Sequence, residues 1–160
     1  MALPGYMTIT AETQGTLEGE CGLENREGAI VVLACTHAIK LPTDKNGLTS
    51  GRRMHMPITI LKDIDRTSPM LYQALGQSEL LTEVRIDWYR IDSAGMEELY
   101  YSQILKNAQI VAIDFEVEYT PEGASSRLGH MEKVSFIYDS ITWIHDVDGI
   151  EYEDNFGVVS

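Results

Sequence analysis

Apolar residues in this chain alternate with polar ones far more often than they recur at helical spacing. Between His55 and Pro69 the residues Met56, Ile58, Ile60 and Ile64 hold even positions and Thr59, Asp63 and Asp65 hold odd ones, with Lys62 alone breaking the apolar set. A period of two places successive side chains on opposite faces of a strand. The run predicts a strand whose charges mostly form its solvent side. Directly after it, Ser68 is suited to accept from an unpaired helix amide, and Pro69 to the first helical position, where its missing N–H costs nothing. Met70, Leu71, Ala74 and Leu75 then line one side of two helical turns, and Gly76 suits the left-handed conformation that ends a helix.

The same pattern recurs along the rest of the chain. Residues 7–12 and 16–20 predict short strands around a kink at Gly15, and residues 22–28 form a polar loop. Residues 30–41, IVVLACTHAIKL, are apolar on both parities as far as Ala34, which predicts a central strand covered on both faces. Val84, Ile86 and Trp88 alternate before Tyr89 and Ile91 take the opposite parity, the mark of a bulge. DSAGMEE is a turn signal ahead of a strand through Leu99, Tyr101 and Leu105. Val111, Ile113, Phe115, Val117 and Tyr119 then predict a core face, with Asp114, Glu116 and Glu118 on the wet one. Val134, Phe136 and Tyr138 alternate, and a parity slip near Asp139 moves the apolar set to Ile141 and Trp143. Asp148-Gly149 predicts a hairpin turn returning through Ile150, Tyr152 and Phe156.

These elements predict one domain over residues 1–160, mainly β, with a single short flanking helix. The antiparallel strands form either a small closed barrel or two packed sheets. With 160 residues, 44% of them hydrophobic, the chain has enough apolar surface for a core of ordinary size. Twelve Lys and Arg stand against 25 Asp and Glu, a net charge of −13, which argues against nucleic acid and anionic membrane as partners. The start, MALPGYMTIT, lacks a basic region followed by an apolar one, and no apolar run approaches a spanning length. The expectation is a protein made in the cytosol that, if exported, uses no cleaved signal. Cys21 and Cys35 are too few and too far apart for a zinc knuckle or a CxxC pair, and leave a single bridge open.

No nucleotide cradle or nucleophile elbow is present. The four histidines, His37, His55, His130 and His145, show no metal-binding spacing. Reading HDVDGIEYEDN as a calcium loop puts Ile144 and Asn155 where carboxylates are required, so that match fails. Glu116 and Glu118 share a face opposite an apolar stripe, the ordinary mark of a solvated strand. Arg52 and Arg53 close a long loop in an acidic chain and suit a salt-bridging contact with a neighbouring subunit.

Two longer blocks, GRRMHMPITILKDIDRTSPMLYQAL and HMEKVSFIYDSITWIHDVDGIEYEDNF, closely resemble the hemolysin-coregulated protein family, the tube protein of the type VI secretion system. The resemblance runs from about Met7 to Phe156, where the family pattern has tryptophan. It implies a small two-sheet β-barrel with a flanking helix, and homohexameric rings that stack into a tube. A contractile sheath drives that tube out of the cell behind a spike protein, with effectors in its pore. It implies no catalysis, no cofactor and no metal. Some relatives carry a toxin domain after this one; ending at Ser160, the sequence predicts none. The strand AIVVLACTHAIK matches one lining the pore, so Ala34, Thr36 and Ala38 are the candidates to meet cargo. The loop Thr43-Asp44-Lys45-Asn46-Gly47-Leu48-Thr49-Ser50-Gly51-Arg52-Arg53 matches an extended loop that makes contacts between subunits or rings. Two other readings compete with this one. The first is a monomeric acidic β-barrel enzyme or ligand-binding domain using His55 or His145 with nearby carboxylates. The second is an adaptor binding a basic partner through its acidic faces.

Overall fold

Strand alternation is realised along most of the chain. The computed structural model describes residues 2–117 and 129–155. Its elements are β1 (Gly5–Ala11), β2 (Gly15–Leu17), β3 (Ile30–Val32), β4 (Ala34–Thr36), β5 (Ile39–Lys40), β6 (Met54–His55), β7 (Ile58–Asp63), α1 (Ser68–Gly76), β8 (Leu81–Ile91), β9 (Glu97–Glu116), β10 (Met131–Ile137), β11 (Ser140–His145) and β12 (Ile150–Asn155). The expectations for Glu118, Tyr119, Phe156 and Ser160 lie outside the described residues.

Apart from the separate β5–β6 pair, the described strands pair antiparallel in two packed sheets that share β9. One runs β1, β8, β9, β11, β12, with β2 and β3 end to end along the outer edge of β1; the other runs β9, β10, β7, β4. The mainly β expectation with one short helix holds, but the sheet is not closed into a barrel. The inward residues, among them Met7, Ile9, Val84, Leu105, Val134 and Phe136, make one apolar cluster with Leu71 and Ala74 of α1.

The expected central strand over residues 30–41 is instead three edge pieces. β3 pairs with β1, β4 with β7, and β5 with β6. Ile30 and Val32 face the core, Leu33 is 43% exposed at the corner, and Cys35 packs inward again. Apolar residues fall on both parities because the chain changes sheets, and burial on both faces of one strand is not the cause. The expected core stripe on β9 is broken in the same way. Val111, Phe115 and Val117 are exposed, whereas Leu105, Ala108 and Ile110 are buried and Ile113 packs against the core. Each three-residue step along that buried set marks an irregularity: Asn107 has a φ of 50°, and the pairing with β10 shifts between Ser135 and Phe136. The irregularity expected near Trp88 is present, since the pairing of β8 with β9 shifts between Trp88 and Tyr89. There Trp88 lies flat against β1, and a Cβ on Gly5 would meet its ring at 2.7 Å.

The helix forms where expected, with two changes. Thr67 rather than Ser68 is the N-cap, and Asp65 Oδ1 accepts the Thr67 N–H at 2.8 Å. At the other end Gly76 stays helical, while Ser78 takes the left-handed conformation with a φ of 50°. The Glu79 N–H closes this end on the Ala74 carbonyl at 2.9 Å.

Ser68 is recruited elsewhere, to a buried ion pair. Lys62 and Glu132 are both 0% exposed, with Nζ and Oε1 2.6 Å apart. Ser68 Oγ donates to the same Oε1 at 2.8 Å, and Lys62 also donates to the Asp63 carbonyl and lies 3.2 Å from Asp65. The residue that broke the apolar alternation is therefore a core residue, contrary to the expected solvent side. Removing one charge strands the other in the interior. Lys62→Met should cost about 3–5 kcal/mol, and adding Glu132→Leu should recover most of it; urea unfolding of the single and double variants measures both.

Candidate functional site

Directly paired residues of neighbouring strands project from the same face of a sheet. Thr36, Thr59, Ser135 and Ala112 are opposed in turn across β4, β7, β10 and β9, as are Ala34, Leu61, Lys133 and Asp114. Both rows lie on the face turned away from the core. Thr59 and Ser135 join their hydroxyls at 2.8 Å, and Lys133 reaches Glu116 at 3.5 Å. Ala34 and Thr36 are exposed and line a shallow concavity with Thr59, Leu61 and Lys133. Ala38 sits apart from these rows, half-buried, its carbonyl accepting the Met56 N–H at 2.9 Å.

Beyond Ala38 the chain leaves the sheets as an arm. β5 and β6 are its two legs, Thr43 bridges Thr49, and residues 43–54 are all exposed. Asp44 shapes its tip by accepting the N–H groups of Asn46 and Leu48, and Gly47 supplies the positive φ of the turn. Leu48 is 64% exposed, and Leu41, Met54 and Met56 are exposed too. The arm also concentrates unused positive charge. Arg26, Arg53, Lys62, Arg85, Arg90, Lys106 and Lys133 each have a carboxylate within 4 Å. Among the described residues only Lys40, Lys45, Arg52 and Arg66 do not, and the first three belong to the arm or its leg.

Arg53 turns inward to the same molecule. Its guanidinium grips Asp154 through Nε at 2.7 Å and Nη2 at 2.5 Å. Asp154 also meets His55 Nε2 at 2.8 Å, His55 Nδ1 meets the Tyr138 hydroxyl at 2.7 Å, and that hydroxyl meets His37 Nε2 at 2.6 Å. The Arg53 guanidinium holds the Asp154 carboxyl below the usual range against the opposing effect of burial, with His55 assisting. Burial raises the Tyr138 phenol, and burial together with His55 lowers His37. The His55 side chain is 1% exposed and that of Asp154 8%, so their pairing is sealed from solvent. His145 lies elsewhere, 3.3 Å from Asp148. Each of the two histidines considered as alternatives for catalysis thus lies beside one carboxylate.

Sequence reasoning missed Tyr138, Asp154 and His37 as one unit. One signal was available: Asp154 shares the parity of Ile150 and Tyr152, an acid on the apolar side of its strand. Cys21 and Cys35 are free thiols, and burial pushes the Cys35 thiol up to about 11. Among the described residues no His, Cys, Asp or Glu cluster is arranged to hold a metal ion.

The geometry thus sets an outward-facing wall, a projecting arm and a buried polar chain side by side. Residues 6–145 match the family described as type VI secretion system effector, Hcp, and the chain belongs to that family of secreted structural proteins. It is 36% identical to a "major exported protein" of Pseudomonas aeruginosa, covering 98% of this chain and 96% of that one. Among solved structures it resembles the secreted protein Hcp3 of Pseudomonas aeruginosa, with 33% identity, a TM-score of 0.79 and coverage of 96% and 97%. It also resembles the Hcp1 protein of the E. coli EAEC 042 pathovar, with 31% identity, a TM-score of 0.86 and coverage of 96% and 99%.

Asp154→Asn should lower stability at pH 7 by about 1–3 kcal/mol, since one carboxylate serves two charge-assisted partners. Its lowered folded-state value means that its contribution is present above the ordinary 3.8 and lost as pH falls further. The gap between variant and wild type should therefore close in urea titrations run below that pH.

Proposed function

We propose that this chain is the tube subunit of the type VI secretion system: six copies close into a ring, rings stack, and effectors travel in the pore. The observation that carries the reading is the outward-facing wall of Thr36, exposed, with Thr59, Ser135 and Ala112, half-buried, beside the exposed arm residues 43–54. Short side chains keep a lumen open and offer hydrogen bonds without committing to one cargo. Bulky aromatic anchors, which fix a surface to one partner, are missing from both rows. Ala34 and Thr36 lie on this wall, and Ala38 follows it at the base of the arm. A spike at the tip and a contractile sheath around the tube complete the apparatus, which exports the folded protein from the cytosol.

Within the ring, the arm residues 43–53 reach the next copy. Lys40, Lys45 and Arg52 are free to pair there, and the exposed Leu48 and Met54 add apolar contact. A complementary surface is the far end of β11 and β12. Trp143 and Tyr152 stack there with centroids 6.1 Å apart, Ile150 is 68% exposed, and Glu151 and Glu153 add negative charge. A contact between two different patches closes into a ring when its rotation allows.

Light scattering after size exclusion over a dilution series tests this, and a persistent mass six times the 17.9 kDa chain is expected. Monomer at every concentration would overturn it. Arg52→Glu with Lys45→Glu should shift the ring toward smaller species. Thr36→Glu should leave the ring intact and reduce effector co-elution.

A further inference from the structure

We propose that His37, Tyr138, His55 and Asp154 form a proton-operated latch that holds both legs of the arm to the sheets at neutral pH and loosens them in mild acid. This does not depend on the ring reading, since every contact lies within one chain. His37 lies just ahead of β5, the outgoing leg; His55 and Arg53 lie on and beside β6, the returning leg. The groups they grip belong to the sheets: Asp154 to β12, and Tyr138 to the corner between β10 and β11.

Hydrogen counting fixes the direction of the chain. The Asp154 carboxylate only accepts, so His55 Nε2 carries a hydrogen toward it. With a neutral His55 ring, Nδ1 is then an acceptor and takes the Tyr138 O–H. The phenol oxygen in turn accepts from His37 Nε2–H, and every member is satisfied. One added proton is also accommodated: a charged His55 donates to the phenol, the phenol donates to His37, and His37 moves its remaining hydrogen to Nδ1. A second proton changes the geometry. Both rings then aim N–H groups at the one phenol oxygen between them. Two imidazolium ions, with centroids 5.8 and 5.5 Å from that of Tyr138, repel across it.

The surrounding charges place this second proton on His37. Arg53 and Asp154 form one end, with Tyr152 beside Arg53; Asp139 follows Tyr138 in the chain, and Lys40 on β5 faces Met54 across the legs. Burial, and then His55 itself, disfavour His37 as a cation. A histidine lowered in this way stabilises the closed form above its ordinary 6.5, and that stabilisation is lost as pH falls below it.

Hydrogen–deuterium exchange of the full-length protein at several pH values between 8 and 5, corrected for intrinsic rates, tests the latch, with particle mass followed in parallel. In wild type, protection of residues 52–56 should fall by up to about tenfold per pH unit once His37 protonates. In His37→Gln, whose amide retains the donor and cannot charge, protection should stay level. Tyr138→Phe should leave the arm weakly protected at every pH. As a second readout in wild type, the Met54 and Met56 methyl signals should titrate below 6.5 while that of the buried Met7 stays fixed. PH-independent protection in wild type, static Met54 and Met56 signals, or an unchanged pH response in His37→Gln would overturn the proposal.

Discussion

A strand of twenty residues carries a row of backbone donors and acceptors on each side, and leaving them unpaired in an interior is costly. β9 meets that demand by belonging to both sheets: β8 and β11 flank its first half, and β10 pairs with its second. Everything else is placed by this sharing. Because one strand cannot face two layers with a single parity, it changes face at Asn107 and again opposite Ser135. Those two steps turn the second sheet across the first, close the core between them, and leave the outer rows of β4, β7, β10 and β9 free.

The sequence disclosed the elements better than their partners. Alternation located the strands, the parity change at Tyr89 marked a true irregularity, and Ser68-Pro69 marked the helix start to within one residue. What alternation cannot report is where a strand bends. Residues 30–36 and 105–113 each hold apolar side chains on both parities, and a corner between sheets yields the same pattern as burial on both faces. Lys62 was visible as an exception but not as a core residue, because its partner Glu132 lies seventy positions away. The polar chain was hidden for the same reason. His55 and Asp154 are ninety-nine residues apart, and only the tertiary fold joins them. The long loop of the arm was legible as a loop and Thr36 was singled out through family resemblance, whereas the other residues of the wall came from strand pairing alone.

In the proposed ring, an acidic chain must manage repulsion among its copies. Here most bases are spent inside the molecule, some on carboxylates of adjacent strands and one in the core. Among the described residues, three of the four that remain, Lys40, Lys45 and Arg52, belong to the arm or its leg. Within that proposed ring, association is thereby directed to one place rather than spread over the whole exterior.

Lys62 and Glu132 have a consequence for the opposite side of their sheet. They are direct partners across β7 and β10, and the same alignment opposes Leu61 to Lys133 and Thr59 to Ser135. A slip of two residues would keep every apolar side chain inward, so hydrophobicity alone does not forbid it. It would, however, set each buried charge against a neutral neighbour. The interior ion pair therefore acts as an index mark, and the order of side chains along the outer wall is read from it.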